Sequence, residues 1–131
     1  MIRIPKKIYL SNSLVHGLGV FALEKIEENE IIEICPVIDI GLENGQMSHI
    51  LINYRFNWPQ GNVNVERQVV CAGYGMLYNH SNEPNANWRS DLENNCFEFY
   101  ATKEIFPNQE IFVWYGDDSY WNDGRTNILF K

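Results

Sequence analysis

The sequence is short of positive charge. Ten Lys and Arg stand against 17 Asp and Glu, a net charge of −7 over 131 residues. A surface that tracks nucleic-acid phosphates needs the opposite sign, so direct nucleic-acid binding is not expected. A basic partner, such as a Lys/Arg-rich tail, suits this balance better. Cysteine is scarce as well. Cys35, Cys71 and Cys96 are odd in number, widely spaced and form no C-x-x-C, which excludes a zinc ribbon and a thioredoxin-type motif. Each lies in an apolar run and reads as a small buried hydrophobe, which suits a soluble protein of a reducing compartment, cytoplasm or nucleus. No apolar run approaches ~18 residues, so no membrane span is expected. Met1 to Lys7 lacks the apolar stretch of a secretion signal. There is no G-x-x-x-x-G-K-[ST] phosphate loop and no H-E-x-x-H. His16, His49 and His80 are scattered, so no metal site is expected.

Apolar residues, by contrast, are plentiful: 45% of the chain is hydrophobic and 14% aromatic, which excludes a disordered polymer. The length suits one domain able to bury a sizeable core. Short apolar runs alternate with turn residues. They include Gly19 to Leu23, Glu30 to Ile40, Gln68 to Ala72, Cys96 to Ala101 and Glu110 to Tyr115. Asn, Glu, Pro and Gly clusters separate them. Strands at intervals of about ten residues predict a mainly β domain. Two short helices are expected, at Met47 to Phe56 from its 3-4-7 apolar spacing and at Gly73 to Tyr78. Glu24, Glu27, Glu28, Glu30 and Glu33 form an acidic cluster that reads as a solvated hairpin.

Three segments could carry chemistry. His16-Gly17-Leu18-Gly19-Val20-Phe21-Ala22 holds two glycines that permit a tight turn or close approach of a ligand. It is a poor dinucleotide fingerprint, because the run after it is short and Glu-rich. Tyr78-Asn79-His80-Ser81-Asn82-Glu83-Pro84-Asn85 sets polar residues directly after an apolar stretch. Asn79 and His80 can orient a ligand there, or simply cap a turn. Glu110 to Tyr115 reads as a strand that ends at a tyrosine, followed by an acidic turn and the pair Tyr120-Trp121. Alone, each segment also fits a plain structural role.

In this order and spacing the three resemble the SET domain of protein-lysine methyltransferases. Gly17 to Ala22 is similar to the family's G-x-G-V-F-A hairpin. Asn79-His80-Ser81 with Pro84-Asn85 is similar to N-H-S-x-x-P-N. Glu110 to Tyr115 is similar to E-[LI]-x-x-x-Y. The resemblance covers about residues 8–121, with a variable stretch at about 40–71 and a tail at 122–131, in a single domain over 1–131. Its ending is most similar to that of compact viral and bacterial single-domain members. It implies a β-clip of small curled sheets with a C-terminal pseudoknot. It implies S-adenosylmethionine as cofactor, a lysine in a basic, possibly histone-like protein segment as substrate, and a monomer or homodimer. Tyr115 would be the catalytic tyrosine. Gly17, Leu18, Gly19, Asn79, His80 and Trp121 would contact the cofactor. Tyr54, Tyr74, Trp88 and Tyr120 would line the lysine channel, with Trp88 near the position that tunes methyl number. The sequence departs from the family where Ile34 follows Glu33 and where Met76-Leu77 precede the N-H-S segment. A non-catalytic interaction module on the same scaffold is the alternative.

Overall fold

The computed structural model describes residues 2–41, 54–59 and 67–115. Among the described residues, nine strands fall in two sheets. One sheet runs β1 (Ile8–Asn12), β2 (Leu18–Ala22), β9 (Glu110–Val113), β6 (Asn79–His80). The other runs β4 (Phe56–Trp58), β5 (Arg67–Cys71), β3 (Ile31–Gly41), β8 (Cys96–Ala101), β7 (Ala86–Asp91). The domain is therefore mainly β, as expected. Among the described residues no helix is long and apolar enough to cross a membrane.

Residue type explains the elements. β3 is rich in β-branched residues, and β8 keeps Phe97, Phe99 and Ala101 inward while Glu98 and Tyr100 are half-exposed. The inward residues join Val20, Ile26, Ile105, Ile111 and Tyr78 in one core. Cys35, Cys71 and Cys96 are free thiols and buried, as their apolar settings predict. Asn29, Asn95 and Asn108 take positive φ at the turns, the conformation asparagine tolerates better than most side chains.

Two helix expectations meet different outcomes. The Met47–Phe56 segment lies largely outside the described residues, and its last residue, Phe56, opens β4 rather than closing a helix. The Gly73–Tyr78 segment contracts to a 3-10 turn at Gly75–Leu77. Its glycines explain this. Gly73 sits at φ +74, and a Cβ on Gly75 would overlap Cys71 Sγ and stand 3.1 Å from Phe99 Cε1. Gly75→Ala is accordingly expected to destabilise the fold by about 1–3 kcal/mol through overpacking. A lower urea midpoint at unchanged slope checks it.

The acidic hairpin is only partly solvated. Glu24, Glu27 and Glu28 are exposed, but Glu33 is buried. The pairing shifts register between Ile31 and Glu33, so the inside-outside alternation breaks and Ile32 and Glu33 both turn inward. Glu30 is half-buried and lies 2.7 Å from Lys7 Nζ. Burial pushes its carboxyl up. The Lys7 ammonium and the backbone at Glu27 outweigh that and hold it below the ordinary range. A depressed folded value contributes stability above the unfolded value of about 4.3. That contribution is lost as pH falls through the folded value. Acid denaturation followed with Glu30→Gln should therefore show a smaller loss of stability below pH ~4.3 than the parent chain shows.

Candidate functional site

The site grows from the two-residue strand β6. Asn79 and His80 pair in parallel with Phe112 and Val113 of β9, and β9 pairs on its other side with β2. The loop after β6 straps over β9. Ser81 N donates to Val113 O, Asn85 N donates to Phe112 O, and the Asn85 side chain bonds both Glu110 O and Phe112 N. β9 is thus enclosed between β2 and β6.

Asn79 ties the first motif to the third. Its side-chain amide donates to His16 O at 3.0 Å, Leu18 O at 3.2 Å and Glu110 Oε2 at 3.0 Å. The other Glu110 oxygen accepts the Ser13 hydroxyl at 2.8 Å. The β1–β2 turn is therefore clamped from below. Gly19 makes this approach possible, since a Cβ there would overlap the Glu110 carboxylate and reach 3.2 Å from Asn79 Nδ2. Gly17 does a different job. It turns the backbone at φ +48, and an added Cβ would meet no described residue within 4 Å. Leu18, between the two glycines, is exposed.

His80 and Tyr115 meet at the end of β9. Tyr115 N donates to His80 Nδ1 at 2.9 Å, and the two rings lie 5.2 Å apart. With Nδ1 accepting, the ring proton belongs on Nε2, which faces Asn82 Oδ1 at 3.2 Å. The Tyr115 phenol donates to Tyr78 O at 2.6 Å, one residue before Asn79. Its proton is committed to that carbonyl, so toward a ligand the phenol oxygen acts as an acceptor.

The remaining described candidates are Tyr74, Trp88 and Tyr54. Tyr74 is half-buried against the core, and its backbone N donates to Glu33 Oε2. Trp88, on β7, packs edge-on to Phe56 and lies beside Phe99, and its buried indole Nε1 has no hydrogen-bond partner among the described residues. Phe99 in turn stacks on Tyr78 at 4.6 Å, so ring contacts connect Trp88 with the residue that accepts the Tyr115 phenol. Tyr54 is half-buried just before β4. Tyr120 and Trp121 lie outside the described residues. Sequence reasoning overlooked Ser13, Glu110 as a tether, and the Glu33–Tyr78 pair. Only Glu110 had a readable signal, its place in the third motif.

A small β protein with a glycine turn, an Asn-His strand and a tyrosine-ended strand joined in one hydrogen-bonded site is the class these features define. Residues 17–116 match the SET domain family, and the chain belongs to that family. It is 36% identical over 115 residues to the Schizosaccharomyces pombe histone-lysine N-methyltransferase specific for H3 lysine-37, covering 85% of this chain and 74% of that protein. The crystal structure of a Plasmodium falciparum protein described as a histone methyltransferase superposes with TM-score 0.72 at 39% identity, covering 91% of this chain and all of that one. A chain of an active polycomb repressive complex 2 superposes with TM-score 0.69 at 26% identity, covering 87% of this chain and 16% of its own length.

Proposed function

We propose that this chain transfers a methyl group from S-adenosylmethionine to the side-chain nitrogen of lysine in a basic protein segment, histones included. It is an enzyme of the protein-lysine N-methyltransferase class. The observation that carries the reading is the Tyr115 phenol held on the Tyr78 carbonyl, beside His80 and the loop that Asn79 clamps.

SET methyltransferases generally use S-adenosylmethionine, and the residues here suit it. No described residue stands where a Cβ on Gly17 would point, and the amino-acid part of the cofactor would rest there. Asn79 would act mainly by keeping that turn in place, because its amide already has three acceptors. Bound, the cofactor supplies an electrophilic methyl on a sulfonium. The chain's part is to hold the amine neutral and in line. Lysine's ordinary pKa of ~10.4 leaves about one amine in a thousand neutral near pH 7.4, a cost of ~4 kcal/mol. A dry channel reduces that cost by disfavouring the ammonium. Half-buried Tyr54, Tyr74 and Trp88 would form such walls, and their ring faces suit a methylated ammonium. The Tyr115 oxygen would accept an amine N–H and aim the nitrogen lone pair. Restricting approach this way removes several kcal/mol of the barrier. The net charge of −7 attracts a basic segment.

The test combines calorimetry against S-adenosylhomocysteine with transfer of labelled methyl into histones and other basic proteins. Binding together with label in lysine is the expected result, and salt should weaken capture of the basic segment. Binding without transfer to any lysine substrate would leave only an interaction module. Absence of both would remove the cofactor as well.

A further inference from the structure

A buried carboxylate stands behind the tyrosine. Glu33 is 4% exposed and Tyr78 fully buried. Glu33 Oε1 accepts the Tyr78 hydroxyl at 2.6 Å, and Oε2 accepts the Tyr74 backbone N–H at 2.8 Å. Tyr78 passes the connection on, since its own carbonyl accepts the Tyr115 phenol at 2.6 Å. We infer that Glu33 is a positioning residue for methyl transfer: by gripping both ends of the 74–78 segment, it fixes the Tyr78 carbonyl that orients the Tyr115 phenol. The inference rests on the reading of Tyr115 as the residue at the reacting centre.

Three observations favour this role over plain packing. First, a carboxylate in a core is costly unless its oxygens are bonded, and an apolar pair fills such a space at least as well. Here both oxygens are bonded, and to the two ends of one short turn. Second, the backbone is shaped to allow it. The register shift in β3 turns Glu33 inward. Gly73, at φ +74, leaves room for the carboxylate, which a Cβ there would approach to 2.5 Å of Oε2. Third, Tyr78 is locked at both ends. Its ring stacks on Phe99 at an angle of 17°. Burial first, then the Glu33 carboxylate, push its phenol well above the ordinary range, so it stays a donor throughout the working pH range. Carbonyl placement is therefore set from the side chain, and the Tyr115 oxygen inherits it. A reacting atom displaced by ~1 Å can lose about 100-fold in rate, which gives so remote a grip catalytic weight.

The test uses the full chain with Glu33→Gln, Tyr78→Phe and the double variant. Glu33→Gln retains the shape but has one acceptor oxygen for two donors. Transfer to a lysine peptide should fall about 10- to 100-fold in kcat, with peptide KM and S-adenosylhomocysteine Kd changed only a few-fold. Tyr78→Phe should fall similarly, and the double variant should be no slower than the worse single one, because both act through one contact. The 13Cζ resonance of Tyr115, assigned with Tyr115→Phe, should move in Glu33→Gln. Unchanged kcat in folded variants would overturn the inference. So would a loss that follows only the unfolded fraction while the Tyr115 resonance stays in place. If Glu33→Gln does not fold, Tyr78→Phe alone decides by the same readouts. If the parent chain methylates no lysine, the functional reading fails separately. The resonance then decides the positioning role: moved upholds it, unmoved overturns it.

Discussion

Tyr115→Phe should lower methyl transfer by about two to three orders of magnitude, the usual effect of removing one positioned polar group from a reacting centre. The ring would still pack beside His80, and the backbone bond from Tyr115 N to His80 Nδ1 would remain. The bond from the phenol to Tyr78 O disappears. The stability cost is then about 1 kcal/mol, and S-adenosylhomocysteine affinity should change little. Single-turnover kinetics with saturating cofactor separate the chemical step from binding. A variant that turns over as fast as the parent would place the reacting atoms elsewhere.

Asn79→Asp should be more damaging to binding than to any later step. The amide nitrogen serves His16 O, Leu18 O and Glu110 Oε2, and the residue is 2% exposed. A carboxylate in its place would face two carbonyls and a second carboxylate with no proton to offer. Leaving a buried charge unpaired costs about 3–5 kcal/mol. The β1–β2 turn would come off its clamp, and S-adenosylhomocysteine affinity should fall about 10- to 70-fold if half of that cost reaches the bound state. The defect should ease on acidification, because the neutral acid regains one donor and loses the repulsion with Glu110. Calorimetry across pH checks both parts. Unchanged affinity would detach the Asn79 clamp from cofactor binding.

Much of this fold was legible in the chain because its strands are locally marked. β3, β5, β8 and the end of β9 are apolar runs bounded by turn residues, and the three cysteines sit where small hydrophobes belong. β6 and β7 were not legible. β6 is two residues long and exists only because β9 arrives beside it from about thirty positions away. β7 carries Asn87, Arg89 and Asp91, which read as loop, and it is drawn into a strand by its pairing with β8. The 3-10 turn replaced a helix because the two glycines of 73–78 lie where side chains cannot fit.

The site divides along the same line. Asn79, His80 and Tyr115 were found from motif order, and the structure brings all three together with the Gly17–Gly19 turn. Glu33 reads as solvated because it stands in an acidic cluster, and the register shift between Ile31 and Glu33 turns it inward instead. The Tyr78–Glu33 bond joins positions 45 apart, with no local pattern to announce it.

The most direct measurement is a lysine-peptide array incubated with S-adenosylmethionine and read by mass. The account predicts methyl additions on lysines within basic sequences for the parent chain, and their near-complete loss for Tyr115→Phe. A parent chain that methylates none of the peptides, or a Tyr115→Phe chain that methylates them equally, would contradict it.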